Sequence, residues 1–315
     1  MRNKRCFITG IKSTKLSKKE KKFLNDYKPW GVILFSRNIK SINQTKKLTD
    51  EIKMIFKDNK YPILIDQEGG RVNRLKKIFN AEPLTGDFFG KLYLKDKIKF
   101  NHYYKIFINQ TSHLLKLIGA NINTLPVLDL RSRGASNVIG DRSFSNNVKI
   151  VSKIGDICID YFHKNKIATV IKHIPGHGLA KVDSHKQTPT IKKDQKYLIK
   201  NDFSTFKNKA SMFAMTAHII YQKIDKFNTA THSKKIIKII RNNIRFRNIL
   251  ISDDISMKSL KSSIKNNTEC AFNAGCDLVL HCNGNYKEML VVAKNSPFIS
   301  EFIIKKTSQF HRIIS

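Results

Sequence analysis

The sequence predicts a single-domain α/β protein, a (β/α)8 barrel of the TIM type, and three observations predict it. Eight short apolar runs alternate with longer segments whose apolar residues recur every three or four positions, the pattern of a parallel sheet covered by helices. Nearly every run ends in polar or charged residues, and a barrel gathers the C-terminal ends of its strands at one mouth. No Gly-x-Gly-x-x-Gly turn follows the first run, which disfavours a dinucleotide-binding, doubly wound open sheet, the main competing architecture.

The runs fall at 6–11, 31–35, 62–65, 120–130, 168–171, 212–215, 248–251 and 277–280. The second leads through Ser36-Arg37-Asn38 into a segment where Ile42, Leu48, Ile52, Ile55 and Phe56 stand among lysines, one apolar face of an amphipathic crossover helix. The third run ends at Asp66-Gln67-Glu68, the fourth at Asp129 with Arg131, the fifth at Lys172-His173 and the sixth at Thr216 with His218. The seventh ends at Ser252-Asp253-Asp254 and the eighth at His281 with Asn283. A single strand end is polar simply because it meets solvent; seven on one predicted rim mark an active-site mouth.

With 315 residues and no Pro/Gly/Ser-rich linker, low-complexity tract or internal repeat beyond the alternation itself, one domain over 1–315 is expected. The stretch 297–315 reads as an amphipathic terminal helix carrying Ile299, Phe302, Ile303 and Phe310. The start, MRNKRCFITG, holds only a six-residue apolar run, too short for a signal peptide or membrane span, and no later segment reaches membrane length. Five cysteines, an odd number without a Cys-x-x-Cys pair, point to reduced thiols and a cytoplasmic location. Cys270, Cys276 and Cys282 recur every six residues and are expected to be buried thiols rather than metal ligands.

Lysine and arginine total 59 against 24 acidic residues, a formal charge of +35. The lysines are spread over nearly every predicted helix, and no helix-turn-helix, finger or aromatic RNA-binding motif accompanies them. Nonspecific attraction to polyanions at low salt is expected, and a specific nucleic-acid partner is not.

The most informative stretch, KHIPGHGLAKVDSH at 172–185, follows the fifth run directly. Asp183-Ser184-His185 has a carboxylate placed to fix the tautomer of an imidazole and raise its proton affinity, as acid–base work near neutral pH requires. A Ser-His-Asp relay is disfavoured, because three consecutive loop residues cannot easily form it and no Gly-x-Ser-x-Gly elbow is present. A zinc site of His173, His177 and His185 lacks the His-Glu-x-x-His spacing, and Pro175 and Gly176 break the helix that would present such a pair. No metal or cofactor is expected. Asp66 and Asp253 each close a strand and are the candidate nucleophiles; for a strand-end aspartate the other role is a helix N-cap, which Asp254 or Ser252 could take. Arg71 and Arg74 follow Asp66 closely, and a carboxylate beside arginines is held ionised to bind rather than to donate a proton.

KHIPGHG followed by DSH, with GVILFSRN, DQEGGRV, PVLDL, GDRSF, TAH and SDDISM in that order over roughly 5–285, resembles glycoside hydrolase family 3, nearest to the single-domain bacterial β-N-acetylglucosaminidases of cell-wall recycling. The resemblance implies a retaining hydrolase that takes a peptidoglycan-derived saccharide, with Asp253 as nucleophile and His185, supported by Asp183, as acid/base. It further implies sugar contacts from Asp66, Arg74, Arg142, Lys172 and His173, and glycines 176 and 178 then read as flexible joints of the loop carrying His185. Phosphorolysis on the same fold is the alternative, because a deprotonated histidine is neutral and does not repel an anionic acceptor. A metal-dependent hydrolase or a basic nucleic-acid-binding protein is a more distant one. The basic composition and the stretch 297–315 depart from the family pattern.

Overall fold

The computed structural model describes residues 3–132, 134–184 and 186–315. Its strands run in chain order as β1 (Arg5–Gly10), β2 (Pro29–Leu34), β3 (Ile63–Ile65), β4 (Gln67–Gly69), β5 (Val72–Asn73), β6 (Ile122–Asn123), β7 (Ala168–Ile174), β8 (Thr190–Ile191), β9 (Phe213–Thr216), β10 (Ile220–Tyr221), β11 (Ile249–Asp254) and β12 (Leu278–His281). Eight of them close a barrel in the order β1-β2-β3-β6-β7-β9-β11-β12, with each neighbouring pair parallel. The predicted (β/α)8 architecture is therefore the observed one.

The strands read as unbroken apolar runs because both of their faces are buried. Alternate side chains point inward, where Ile8, Ile33, Leu64, Ile122, Val170, Phe213, Ile251 and Leu280 fill the barrel. The others, among them Phe7, Val32, Ile63, Ile171, Leu250 and Val279, meet the surrounding helices. Helix α1 (Lys18–Tyr27) starts with a reciprocal capping box between Ser17 and Glu20. In α2 (Ile42–Phe56) Ser41 caps the start, and Thr45, Leu48, Thr49 and Ile52 form the buried stripe. Lysines take the outward faces, and no helix among the described residues is long and apolar enough to cross a membrane.

Strand β11 runs on past the predicted run to Asp254, and two further strands differ from the expectation. The predicted fourth strand spans only Ile122–Asn123, because Pro126 has no N–H for the ladder. The chain re-pairs just beyond it, where Lys172 N donates to Pro126 O at 3.2 Å and Leu128 N to Lys172 O at 2.8 Å. The predicted fifth strand runs on to Ile174, so Lys172 and His173 belong to the sheet and not to the loop after it. Of the three cysteines spaced by six only Cys276 is buried; Cys270 is exposed and Cys282 intermediate. In the helix Ile264–Ala274 the buried stripe passes through Asn267, Thr268, Ala271 and Ala274 and leaves Cys270 beside it.

The terminal helix (Glu301–Ile313) closes the barrel at the end opposite the rim. Ile299, Ile303 and Phe310 join the barrel-interior cluster, while Phe302 stays 38% exposed, correcting one of the four expected contacts. Trp30 stands between: its Nε1 donates to Thr307 Oγ1 at 2.9 Å, and its ring meets Phe213 edge-on at 5.4 Å and Phe310 at 6.4 Å. Phe310→Ala is expected to lower the unfolding free energy by about 3–5 kcal/mol, the cost of a large buried cavity. Urea unfolding measures it, and a loss below about 1 kcal/mol would contradict this role for the helix.

Candidate active site

The C-terminal ends of β3, β7, β11 and β12 open into a cleft lined by Asp66, Glu68, Arg74, Arg142, Lys172, His173, His177, Ser184, Asp253 and Cys282, among others. Six of the eight sequence-predicted site residues thus meet here: Asp253, Asp66, Arg74, Arg142, Lys172 and His173. Asp183 lies half-buried in the loop after β7, where its carbonyl accepts from Lys186 N and Gln187 N at 3.0 Å. His185 lies outside the described residues.

One side of the cleft is a fixed ion network. Lys172, 2% exposed, reaches from the end of β7 to Asp66 Oδ1 at 3.2 Å and to Glu68 Oε1 at 2.6 Å. Arg74 Nη2 lies 3.1 Å from Asp66 Oδ2, and Thr124 Oγ1 donates to Asp66 Oδ1. Arg142 grips Glu68 in a two-pronged contact, with Nε and Nη2 both at 2.8 Å. Glu68 was missed by sequence reasoning, although its place in DQEGGR beside two later arginines was the available signal. The β4–β5 hairpin, which pairs antiparallel, swings it back over the rim. Arg71 points away, donating to the carbonyls of Asn137 and Val138 at 2.6 and 2.5 Å.

Burial alone would push the Asp66 and Glu68 carboxyls up, but the adjoining cations more than offset it. Lys172 and Arg74 hold Asp66 far below the ordinary carboxylate range, and Arg142 and Lys172 hold Glu68 at about 2. Both are ionised at any working pH, which suits Asp66 to accepting hydroxyl protons and not to proton transfer. Arg74 Nε is buried and has no partner among the described residues, a donor left over for a bound ligand.

Behind the cations, Asp129 organises the start of the loop after β7. Fully buried, it faces His173 Nδ1 at 2.7 Å and accepts the backbone N–H of His177 at 2.6 Å. With Nδ1 so held, the other nitrogen of His173, which has no hydrogen-bond partner among the described residues, is the one placed to meet a ligand in the cleft. His177 is pushed down to about 4, first by burial and then by the charge of His173, and its Nε2 lies 3.0 Å from Ser184 Oγ. The loop's glycines are tight joints and not flexible ones. A Cβ on Gly178 would overlap the Leu130 carbonyl, and Gly176, at φ 147°, abuts Asp202.

On the opposite side β11 ends in Asp253, half-buried. The Asp254 N–H donates to Asp253 Oδ1 at 2.8 Å. Neither Asp254 nor Ser252 caps a helix, for Ser263 caps the helix Ile264–Ala274 that follows. The Asp254 carboxylate accepts from Ser256 N at 3.0 Å and Cys282 N at 3.2 Å, and Ser252 Oγ accepts from Leu280 N at 3.0 Å. These bonds tie the strand end to β12, and Asp253 and Asp254 both line the cleft that holds Lys172 and Arg74.

A parallel (β/α)8 barrel whose C-terminal rim sets carboxylates and fixed cations around one cleft has the build of a glycoside hydrolase. The chain belongs to glycosyl hydrolase family 3: residues 6–311 match the model of that family's N-terminal domain. It is 34% identical over 289 residues to a beta-hexosaminidase of Haemophilus ducreyi, covering 88% of this chain and 80% of that one. To a beta-hexosaminidase of Hydrogenovibrio crunogenus it is 32% identical over 283 residues, 88% of this chain and 78% of that one. Its fold is similar to NagZ from Neisseria gonorrhoeae in complex with N-trifluoroacetyl-D-glucosamine, with a TM-score of 0.88, 28% identity and coverage of 98% of this chain and 90% of that one.

The ion network sets a pH dependence of known sign. The folded-state carboxyl of Glu68 lies below its unfolded value, so its contribution is complete above about pH 5 and is lost as pH falls toward 2. The gap in unfolding free energy between wild type and Glu68→Gln is expected to shrink by about 3 kcal/mol from pH 6 to pH 2. Denaturant titrations at several pH values measure it; a gap independent of pH would contradict the ion-pair assignment.

Proposed function

We propose that the protein is a retaining β-N-acetylhexosaminidase that removes terminal non-reducing N-acetylglucosamine from peptidoglycan fragments. The observation that carries the reading is the position of Asp253, at the end of β11 on the same cleft as the Asp66–Arg74–Lys172 cluster. The family membership and the beta-hexosaminidase relatives support the sugar specificity. Five unpaired thiols support action in the reducing cytoplasm.

Asp66 accepts hydroxyl protons of the bound sugar, while Arg74 Nε, Lys172, Arg142 and His173 donate to its oxygens, and this fixes the ring for attack. The Asp253 carboxylate attacks the anomeric carbon as His185 gives a proton to the departing oxygen. The aglycone leaves and a glycosyl ester of Asp253 remains. Water, giving its proton to the now neutral His185, then cleaves the ester with the anomeric configuration retained. Asp183 serves as the carboxylate that orients His185. An imidazole suits both halves of the cycle because its ordinary pKa, about 6.5, makes both protonation states accessible.

Turnover of para-nitrophenyl N-acetyl-β-glucosaminide but not of the glucoside, with the β-anomer of the free sugar as first product by NMR, is expected. An α-anomer would overturn the mechanism, and a sugar 1-phosphate as main product in millimolar phosphate would overturn hydrolysis. His185→Ala is expected to cost about 10²–10⁴-fold on a substrate with a poor leaving group and much less in glycosylation with an activated one, with Asp183→Ala following the same trend. Equal losses on all leaving groups would make the pair structural.

A further inference from the structure

Three successive helices, α3 (Gly86–Lys95), α4 (Lys97–Leu117) and α5 (Val148–Lys164), form a corner of the surface that exposes aliphatic side chains among lysines. Leu94 is 65% exposed, Ile98 84% and Ile106 51%. Leu94 shares a surface groove with Tyr93, Ile150 and the lysines Lys97, Lys149 and Lys153, so the α3–α4 junction and the first turns of α5 make one continuous face. None of these residues lines the cleft at the barrel rim.

The packing beneath this face imposes the exposure. The inner sides of α3 and α4 are already filled, Phe89 meeting Tyr104 edge-on at 4.6 Å and Tyr93 meeting Phe100 edge-on at 5.0 Å. Asp96, the single residue between the two helices, caps α4 by accepting from Lys99 N at 2.9 Å. Leu94 and Ile98, on either side of that break, therefore have no place in the close-packed core. The charge of the face is just as one-sided. Residues 97–117 include no aspartate or glutamate, and the acids of α3 and α5 are already engaged. Asp87 pairs with Lys91 at 2.7 Å and Arg131 at 2.5 Å, Asp156 with Lys209 at 2.9 Å, and Asp160 with Lys164 at 2.7 Å. Lys97, Lys149 and Lys153 form no ion pair among the described residues.

We propose that the α3–α4–α5 corner docks the protein on a lipid surface with anionic headgroups. Leu94 and Ile98 enter the boundary between headgroups and acyl chains, and Lys97, Lys149 and Lys153 meet the lipid phosphates. Apolar side chains ringed by lysines bind such an interface through buried apolar area together with attraction to anionic lipid. The complementarity of charge selects this partner over two others. A second copy of the chain placed on the same face would set unpaired lysines against unpaired lysines. A soluble polyanion would satisfy the lysines and leave Leu94 and Ile98 in water. A bilayer surface answers both, and the protein lies on it without crossing it, since no helix among the described residues is long and apolar enough to span.

The test is co-sedimentation of the full chain with phosphatidylcholine vesicles, plain or containing about one-third phosphatidylglycerol, at about 0.15 M salt. Wild type is compared with three variants. Leu94→Ser with Ile98→Ser removes the aliphatic groups at constant charge. Lys97→Ala, Lys149→Ala and Lys153→Ala together remove the lysines of the face. Lys234→Ala, Lys235→Ala and Lys238→Ala remove the same charge from three exposed positions on another helix. Wild type is expected to partition onto the anionic vesicles at least about tenfold more strongly than onto the plain ones. The aliphatic variant and the Lys97 triple are each expected to lose about tenfold of that binding, and the Lys234 triple less than about threefold. Urea midpoints equal to that of wild type show that the variants are folded. Undiminished binding by the aliphatic variant, or equal losses in the two lysine triples, would leave only the dispersed charge of the chain at work and overturn the proposal. Wild type that stays in solution with both kinds of vesicle overturns it outright.

Discussion

Lys172 binds the site together, because one buried ammonium serves two carboxylates that come from different parts of the chain. It leaves the end of β7 and meets Asp66, just beyond β3, and Glu68, in the hairpin that follows. Glu68 then fixes Arg142, and Asp66 fixes Arg74. Taking these charges out of water is costly, and a buried ion pair is weak evidence of stability in itself. What the network provides is orientation. Donors and acceptors are held in place before a ligand arrives, so little ordering remains to be done when a sugar binds.

The barrel makes such a network affordable. Its interior is filled by apolar side chains and closed below by the terminal helix, where Trp30, Phe213 and Phe310 pack against one another. Polar groups are thereby concentrated at the open rim, where short strand ends from β3, β7 and β11 converge. Asp129 plays a similar part for the loop after β7: one buried carboxylate fixes His173 and the backbone of His177. The loop that leads to Ser184, on the cleft wall, therefore leaves the sheet from a set position.

The fold was legible because a strand buried on both faces reads as an unbroken apolar run, and seven polar strand ends on one rim are hard to place on any other architecture. Asp66, Lys172, His173 and Asp253 were legible for the same reason, each standing at a strand end. Glu68 and Asp129 were harder to read. Their importance lies in which cations reach them across the barrel, and that depends on the β4–β5 hairpin and on the re-pairing past Pro126, neither of which has a periodic signature. The glycines at 176 and 178 suggested freedom, whereas the structure uses them for close approach to Asp202 and Leu130; sequence does not distinguish these two uses of glycine.

Around this frame Asp253 is the proposed nucleophile: it lines the same cleft as Lys172 and Arg74, with one oxygen steadied by the Asp254 N–H. Incubation with a 5-fluoro N-acetylglucosaminyl fluoride, followed by proteolysis and mass spectrometry, traps whichever residue carries the sugar between the two chemical steps. A stable glycosyl adduct on Asp253, absent from Asp253→Ala, is the predicted result. An adduct on Asp66 or Asp254, or turnover of the fluoride by Asp253→Ala at the wild-type rate, would contradict it.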